Sequence, residues 1–182
     1  MLRGTILAVS MVLAVFTLTG TAAVAEAGDK GMTMVAVGGG SLDEAMFINN
    51  SGDATFSFFC GYDKRGNLKG NFFAKRLIPD AGFVSVKSTE ITDIQVGTDA
   101  IGPWVMVTGL ADFMPTWSNQ HHPSHRFTLI AWDIDGYDEG VDMIWFQVQR
   151  PYPDDYVRPA ISLLEEWEVA GGNIMIMPNA LE

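Results

Sequence analysis

The sequence predicts an all-β fold. Three observations carry that expectation: two strand-length apolar runs around a glycine-bearing connection, short strand candidates recurring along the chain, and turn residues between them. The runs are Arg126–Asp133 and Asp142–Gln149, rich in aromatic and β-branched residues, and the segment between them contains Gly136 and Gly140. Such an arrangement is a hairpin signal. In the first arm Phe127, Leu129 and Ala131 alternate with Thr128, Ile130 and Trp132, so both faces are largely apolar and need cover. The hairpin is therefore placed at the centre of the core, with Trp132 and Trp145 inside it.

The preceding elements follow in order. Met32–Val37 reads as a strand ending in a bulge or turn at Gly38-Gly39-Gly40, and residues 43–53, with Asn49-Asn50-Ser51-Gly52, read as loop. Ala54–Tyr62 is a strand with Phe56, Phe58 and Cys60 on one face, and Leu68–Arg76 returns it after a turn at Asp63–Asn67. Phe83–Lys87, Ile91–Val96 and Pro103–Gly109 are three further strand candidates. Residues 110–125, with Pro115, Pro123 and all three histidines, have no clear period and read as a loop. Beyond the central hairpin, Ala160, Leu163, Leu164 and Trp167 recur at helical spacing behind Pro159, which predicts one short helix. Gly171-Gly172 stops it, and Asn173–Met177 is the last strand. The expectation is an antiparallel β-sandwich or small β-barrel of about nine strands with one short helix near the C-terminus.

The chain length of 182 residues suits a single domain. Arg3, the apolar run Ile6–Leu18 and the small residues Ala23-Val24-Ala25 predict a secretory signal peptide over 1–25. A flexible leader over 26–31, a β-domain over 32–178 and a tail over 179–182 complete the division. The address is then secreted: extracellular, periplasmic or cell-wall space. No later apolar stretch approaches the roughly 20 residues that span a bilayer. A formal net charge of −11 argues against nucleic acid and anionic membrane surfaces as partners. With Cys60 as the only cysteine, no intrachain disulfide can form.

Five features in order give the chain a resemblance to a known family. They are Gly38-Gly39-Gly40, Thr55-Phe56-Ser57-Phe58, the turn Gly66-Asn67-Leu68-Lys69-Gly70-Asn71-Phe72, the hairpin Asp133 to Gly140-Val141-Asp142, and Gly171-Gly172-Asn173-Ile174. Together, from about Val35 to Met177, they resemble secreted prokaryotic proteins with a post-COAP domain. The resemblance implies an extracellular β-rich domain and supplies no catalytic residues. The chain departs from it in the His-rich loop and in the stretch Tyr152 to Glu168.

Candidate chemistry is concentrated in two places. Asp133, Asp135, Asp138, Glu139 and Asp142 lie within ten residues that contain no basic residue. Hard oxygen ligands in a glycine-bent acidic loop make them candidate calcium ligands. The spacing does not match an EF-hand, because Asp138 would take the glycine position and Ile144 the terminal glutamate. A solvated tip, with Asp133 and Asp142 capping backbone groups, is the plainer alternative. His121, His122 and His125 are candidate transition-metal ligands, set against an ordinary polar loop. Cys60 reads as a small core hydrophobe rather than a nucleophile, and Trp117 is the tryptophan placed best for a ligand contact. No phosphate loop, dinucleotide fingerprint or nucleophile elbow is present. These readings favour a secreted non-enzymatic β-domain that binds a partner or builds a surface. The alternatives are a metal-dependent hydrolase and a barrel holding a small apolar ligand.

Overall fold

The structure, a computed structural model, describes residues 32–48, 50–116, 122–134, 141–149 and 161–177. These residues are all-β, with no helix among them. The strands are β1 (Met32–Met46), β2 (Ser51–Asp63), β3 (Leu68–Ile78), β4 (Gly82–Thr98), β5 (Pro103–Pro115), β6 (His122–Trp132), β7 (Met143–Gln149), β8 (Trp167–Glu168) and β9 (Gly171–Ile176). They form one sheet in the order β8-β7-β6-β5-β4-β3-β2-β1-β9, with every neighbouring pair antiparallel.

The pleat sends alternate residues to one face, and that face is apolar in every long strand. Phe56, Phe58 and Cys60 on β2, Phe72 and Ala74 on β3, and Phe127, Leu129 and Ala131 on β6 are all buried in one cluster. Packing these faces together forces the sheet to curl. In a flat sheet β3 and β6 would lie about 14 Å apart, yet the rings of Phe72 and Phe127 stack with centroids 5.1 Å apart. Phe146 on β7 meets Phe72 edge-on at 5.5 Å. The curl brings the ends of the sheet together: β8 pairs with β7, β9 pairs with β1, and only Val169 and Ala170 separate β8 from β9.

Residues 161–170 form a strap between the two ends. Leu163 N–H donates to the Phe146 carbonyl on β7 at 2.9 Å, and Leu164 N–H to the Met46 carbonyl on β1 at 2.9 Å. Val169 and Ala170 repeat the pattern, donating to Asp142 at 2.8 Å and Ser41 at 3.0 Å. Buried Ser162 accepts from Val148 N–H through Oγ at 2.9 Å, and its hydroxyl donates back to the Val148 carbonyl at 3.2 Å. This strap corrects the expected short helix. Consecutive N–H groups that bond to opposite neighbours leave none of the i to i−4 geometry a helix needs. Leu163 is fully buried and Leu164 is 51 % exposed, the alternation of an extended segment.

Other boundaries move for related reasons. The glycine run is the middle of β1 rather than its end, because Gly38, Gly39 and Gly40 pair with β2 on one side and β9 on the other. A Cβ on Gly38 would lie 2.6 Å from a ring carbon of Phe58, and one on Gly40 would lie 2.3 Å from the Gly171 carbonyl oxygen. Residues 43–53 are mostly strand as well, with β1 extending to Met46 and β2 starting at Ser51. The candidates 83–87 and 91–96 are one strand, β4, with irregular register near Ser88 and Ile91. The expected loop over 110–125 is instead the end of β5 and the start of β6 on its described residues. The hairpin β6–β7 lies near one end of the strand order rather than at its centre, yet Phe127, Leu129, Ile144, Phe146 and Val148 are fully buried because the curl covers them.

One inward position holds a cation. Arg76 follows Phe72 and Ala74 on the inner face of β3 and is fully buried. Its guanidinium donates to the Asn50 carbonyl at 2.9 Å and to Asn50 Oδ1, and stacks 3.9 Å over the Phe47 ring. Burial pushes its pKa down to about 10, so the charge is retained at neutral pH.

The β1–β9 contact makes a direct test of the glycines. Gly172 has a φ of +127° and its Cβ would lie 2.0 Å from the Gly39 carbonyl oxygen. Gly172→Ala is expected to cost about 3 kcal/mol or more. Gly66 has a φ of +79° with nothing near its Cβ, and Gly66→Ala should cost only about 1 kcal/mol. Denaturant unfolding of the two variants measures the difference.

Candidate functional site

The acidic hairpin is positioned by the ends of β6 and β7, where Asp133 follows Trp132 and Asp142 precedes Met143. β9 uses one edge for β1, and its Met175 faces Val37. The N–H groups of Ile174 and Ile176 point to the other edge, where no strand follows among the described residues. Asp142 Oδ2 accepts from Ile174 N–H at 2.5 Å, and Asp133 Oδ2 accepts from Ile176 N–H at 2.9 Å. Asp142 Oδ1 also accepts from Ile134 N–H at 3.2 Å. The carboxylates therefore stand where the carbonyls of a tenth strand would, and the bonds are charge-assisted. Asp142 is only 6 % exposed. Asp135, Asp138 and Glu139 lie outside the described residues, so of the five candidate calcium ligands the structure places two, both bonded to backbone.

The histidines are arranged by a bulge. Ala111 pairs with His125 and Phe113 with His122, so Pro123 and Ser124 oppose the single residue Asp112. Ser124 takes a φ of 62° to make this possible. Residues three apart in a regular strand would face opposite ways, whereas here both imidazoles lie against Phe113 with centroids 5.6 and 6.1 Å from it. The rings are 6.3 Å apart. His125 is buried, and its Nδ1 donates to the His122 carbonyl at 3.1 Å. His121 and Trp117 lie outside the described residues. No group of three or more His, Cys, Asp or Glu placed to hold a metal ion occurs among the described residues.

The remaining tryptophans are structural in placement. Trp132, next to inward Ala131, lies on the other face of β6, paired with Trp104 and Met143. The Trp104 ring lies over Gly97, where a Cβ would come within 2.5 Å of it. Trp132 is 5 % exposed and its indole N–H donates to Asp99 Oδ2 at 3.2 Å. That bond first, then the N–H groups of Ile101 and Gly102, holds the Asp99 carboxyl below its usual range. Trp145 is half-buried against the core, and Trp167 in β8 donates to the Asp43 carbonyl at 3.1 Å. The sequence reading missed Asp99; the signal was Asp99 followed by Gly102 at a turn, which invites backbone N–H groups onto a carboxylate.

Cys60 is fully buried between Phe56, Phe58 and the paired strand β1. Burial pushes its thiol up to about 12, partly offset by a hydrogen bond with the Ala36 backbone, which disfavours the thiolate that a nucleophile requires. No helix of the described residues is long and apolar enough to cross a membrane. No family model matches the chain, and neither the curated proteins nor the solved structures include a match.

Two measurements test these assignments. Asp142→Asn keeps one acceptor but turns an amide N–H toward a backbone N–H, and is expected to cost about 3 kcal/mol. Asp133→Asn, at a half-exposed position, should cost less; calorimetry of both variants decides. The Cys60 thiol has a raised folded pKa, so the protonated form favours folding. That contribution is complete below the ordinary thiol value of 9.0 and is lost as pH rises toward about 12. Wild-type stability should therefore fall more steeply than that of Cys60→Ala between those values, and native Cys60 should resist alkylation at neutral pH.

Proposed function

We propose that the chain is a secreted, non-enzymatic β-domain that acts from its outer surface as an extracellular binding or surface-structural module. The observation that carries this reading is the use of its inward groups. Phe72, Phe127 and Phe146 pack ring against ring inside the curl, which favours a filled scaffold over one that encloses an apolar ligand. The two described carboxylates of the acidic hairpin bond to β9, which favours a structural role for them over a catalytic one. The strap between β1 and β7 supports a small barrel, rather than a sandwich, as the finer form of the scaffold. The signal-like N-terminus and the resemblance to post-COAP domain proteins support the extracellular address.

The test is co-sedimentation of the purified mature protein with insoluble cell-wall polymers, peptidoglycan and neutral polysaccharide among them. The expected result is retention on at least one polymer, unchanged by chelator and without release of soluble fragments. Release of fragments that depends on calcium or zinc would instead identify a metal-dependent hydrolase. Saturable uptake of an apolar fluorophore by the native protein, displaced by a fatty acid, would identify a ligand-holding barrel.

A further inference from the structure

The outer surface is divided by charge in a way the net value conceals. Residues 64–87 contain six of the 11 Lys and Arg but only one of the 22 Asp and Glu. They are the β2–β3 turn, β3 and the start of β4, near the middle of the strand order. Arg76 points inward, so its neighbours Lys75 and Leu77 point out. The Lys75 ammonium lies 3.9 Å over the ring of Phe83, and Lys87 stands opposite Phe73. Lys75 and Lys87 are exposed, and Leu77 and Phe83 are 47 % and 40 % exposed. The result is a basic face with apolar groups between its charges.

The border of that face is acidic. Residues 31–63 and 161–177 contain no Lys or Arg, and the structure brings the two stretches together. Trp167 of the strap bonds to Asp43 on β1, and Leu164 bonds to Met46. Glu44, at a φ of 53° in a β1 irregularity, donates its N–H to Asp53 on β2 at 3.0 Å. Asp43, Glu44, Asp53, Glu165, Glu166 and Glu168 are all exposed there. β2 alone separates β1 from β3, so the acidic border begins about 10 Å from the lysines, two strand spacings away.

We propose that this face docks a second copy of the chain, as an isologous dimer in which the lysines of each copy meet the strap acids of the other. Adjacent patches of opposite sign are self-complementary under a two-fold rotation, which lays basic on acidic twice. Leu77 and Phe83 supply the apolar contact between the charged areas, as interface centres require. Local complementarity acts within a Debye length of about 8 Å, whereas the charges that make each copy net negative lie mostly farther apart across the pair and are screened at physiological salt. The inference rests on the reading of the chain as a surface-acting module and names its partner.

Charge exchange tests it. The mature wild-type protein, at about 100 μM to reach weak homodimer affinities, is expected to sediment at twice the monomer mass. Lys75→Glu with Lys87→Glu should sediment as a monomer, and so should Glu165→Lys with Glu166→Lys, each with circular dichroism and melting close to wild type. An equimolar mixture of the two variants should recover the dimer mass, because both contacts regain opposite charges. A monomeric wild type overturns the proposal, as does a dimer that either reversed variant retains. Retention of a monomeric wild type on a polyanion resin, lost with the lysines, would assign the face to an anionic polymer and also overturn it. Retention on cell-wall polymers by a monomeric protein would leave the surface-module reading intact while removing self-docking.

Discussion

Two carboxylates hold the outer edge of β9, and the meeting of the two ends of the curled sheet depends on them. Among the described residues β9 pairs with β1 alone, so without the carboxylates the N–H groups of Ile174 and Ile176 on its other side would be unsatisfied in an apolar surrounding. A buried unsatisfied donor costs about 1–3 kcal/mol. Asp142 and Asp133 accept those groups from the ends of β7 and β6. The side chains do the work of a neighbouring strand where the described residues place none. This arrangement also ties the two ends of the strand order to one another, since β9 lies at one end and β7 near the other.

The strap completes what the carboxylates begin. Four of its N–H groups alternate between the β7 side and β1, so a short extended segment that includes β8 serves both ends of the sheet. Exposed sheet edges invite pairing with other chains, and here the β1 and β7 edges are covered by the strap, Ser162 and β9. The glycines of β1 and β9 belong to the same solution. Gly39 and Gly40 face Asn173 and Gly172, and their lack of side chains lets two backbones approach where a Cβ would collide.

The outer face is not uniform. Around Trp104 and Trp132 it forms a small buried cluster fastened by the Asp99 carboxylate. Around Lys75 and Phe83 it is basic and partly apolar, and toward the strap it is acidic. The charges that make the chain acidic overall are therefore arranged across neighbouring strands, which gives the outer face a basic part and an acidic part.

Local chemistry in the sequence determined the strand class and the inward face of β2. Period-two alternation in Ala54–Tyr62 needs only the pleat, so Phe56, Phe58 and Cys60 were legible as buried, whereas Arg126–Asp133 is apolar on both faces and its inward set, Phe127, Leu129 and Ala131, was decided by the curl. The acidic hairpin was legible as a cluster, and capping of backbone groups by Asp133 and Asp142 was open as an alternative. Only the tertiary structure decided which groups they cap, because Ile174 and Ile176 lie 32 and 43 residues away along the chain. The helical spacing of Leu163, Leu164 and Trp167 gave way for the same reason: carbonyls on two separate strands offered partners that a local turn could not match. The placement of two imidazoles on one side of Phe113 likewise required a bulge against β5. Periodicity carries information about faces within a strand, whereas the partners of an edge are fixed only when the sheet curls and distant backbone groups must all be satisfied.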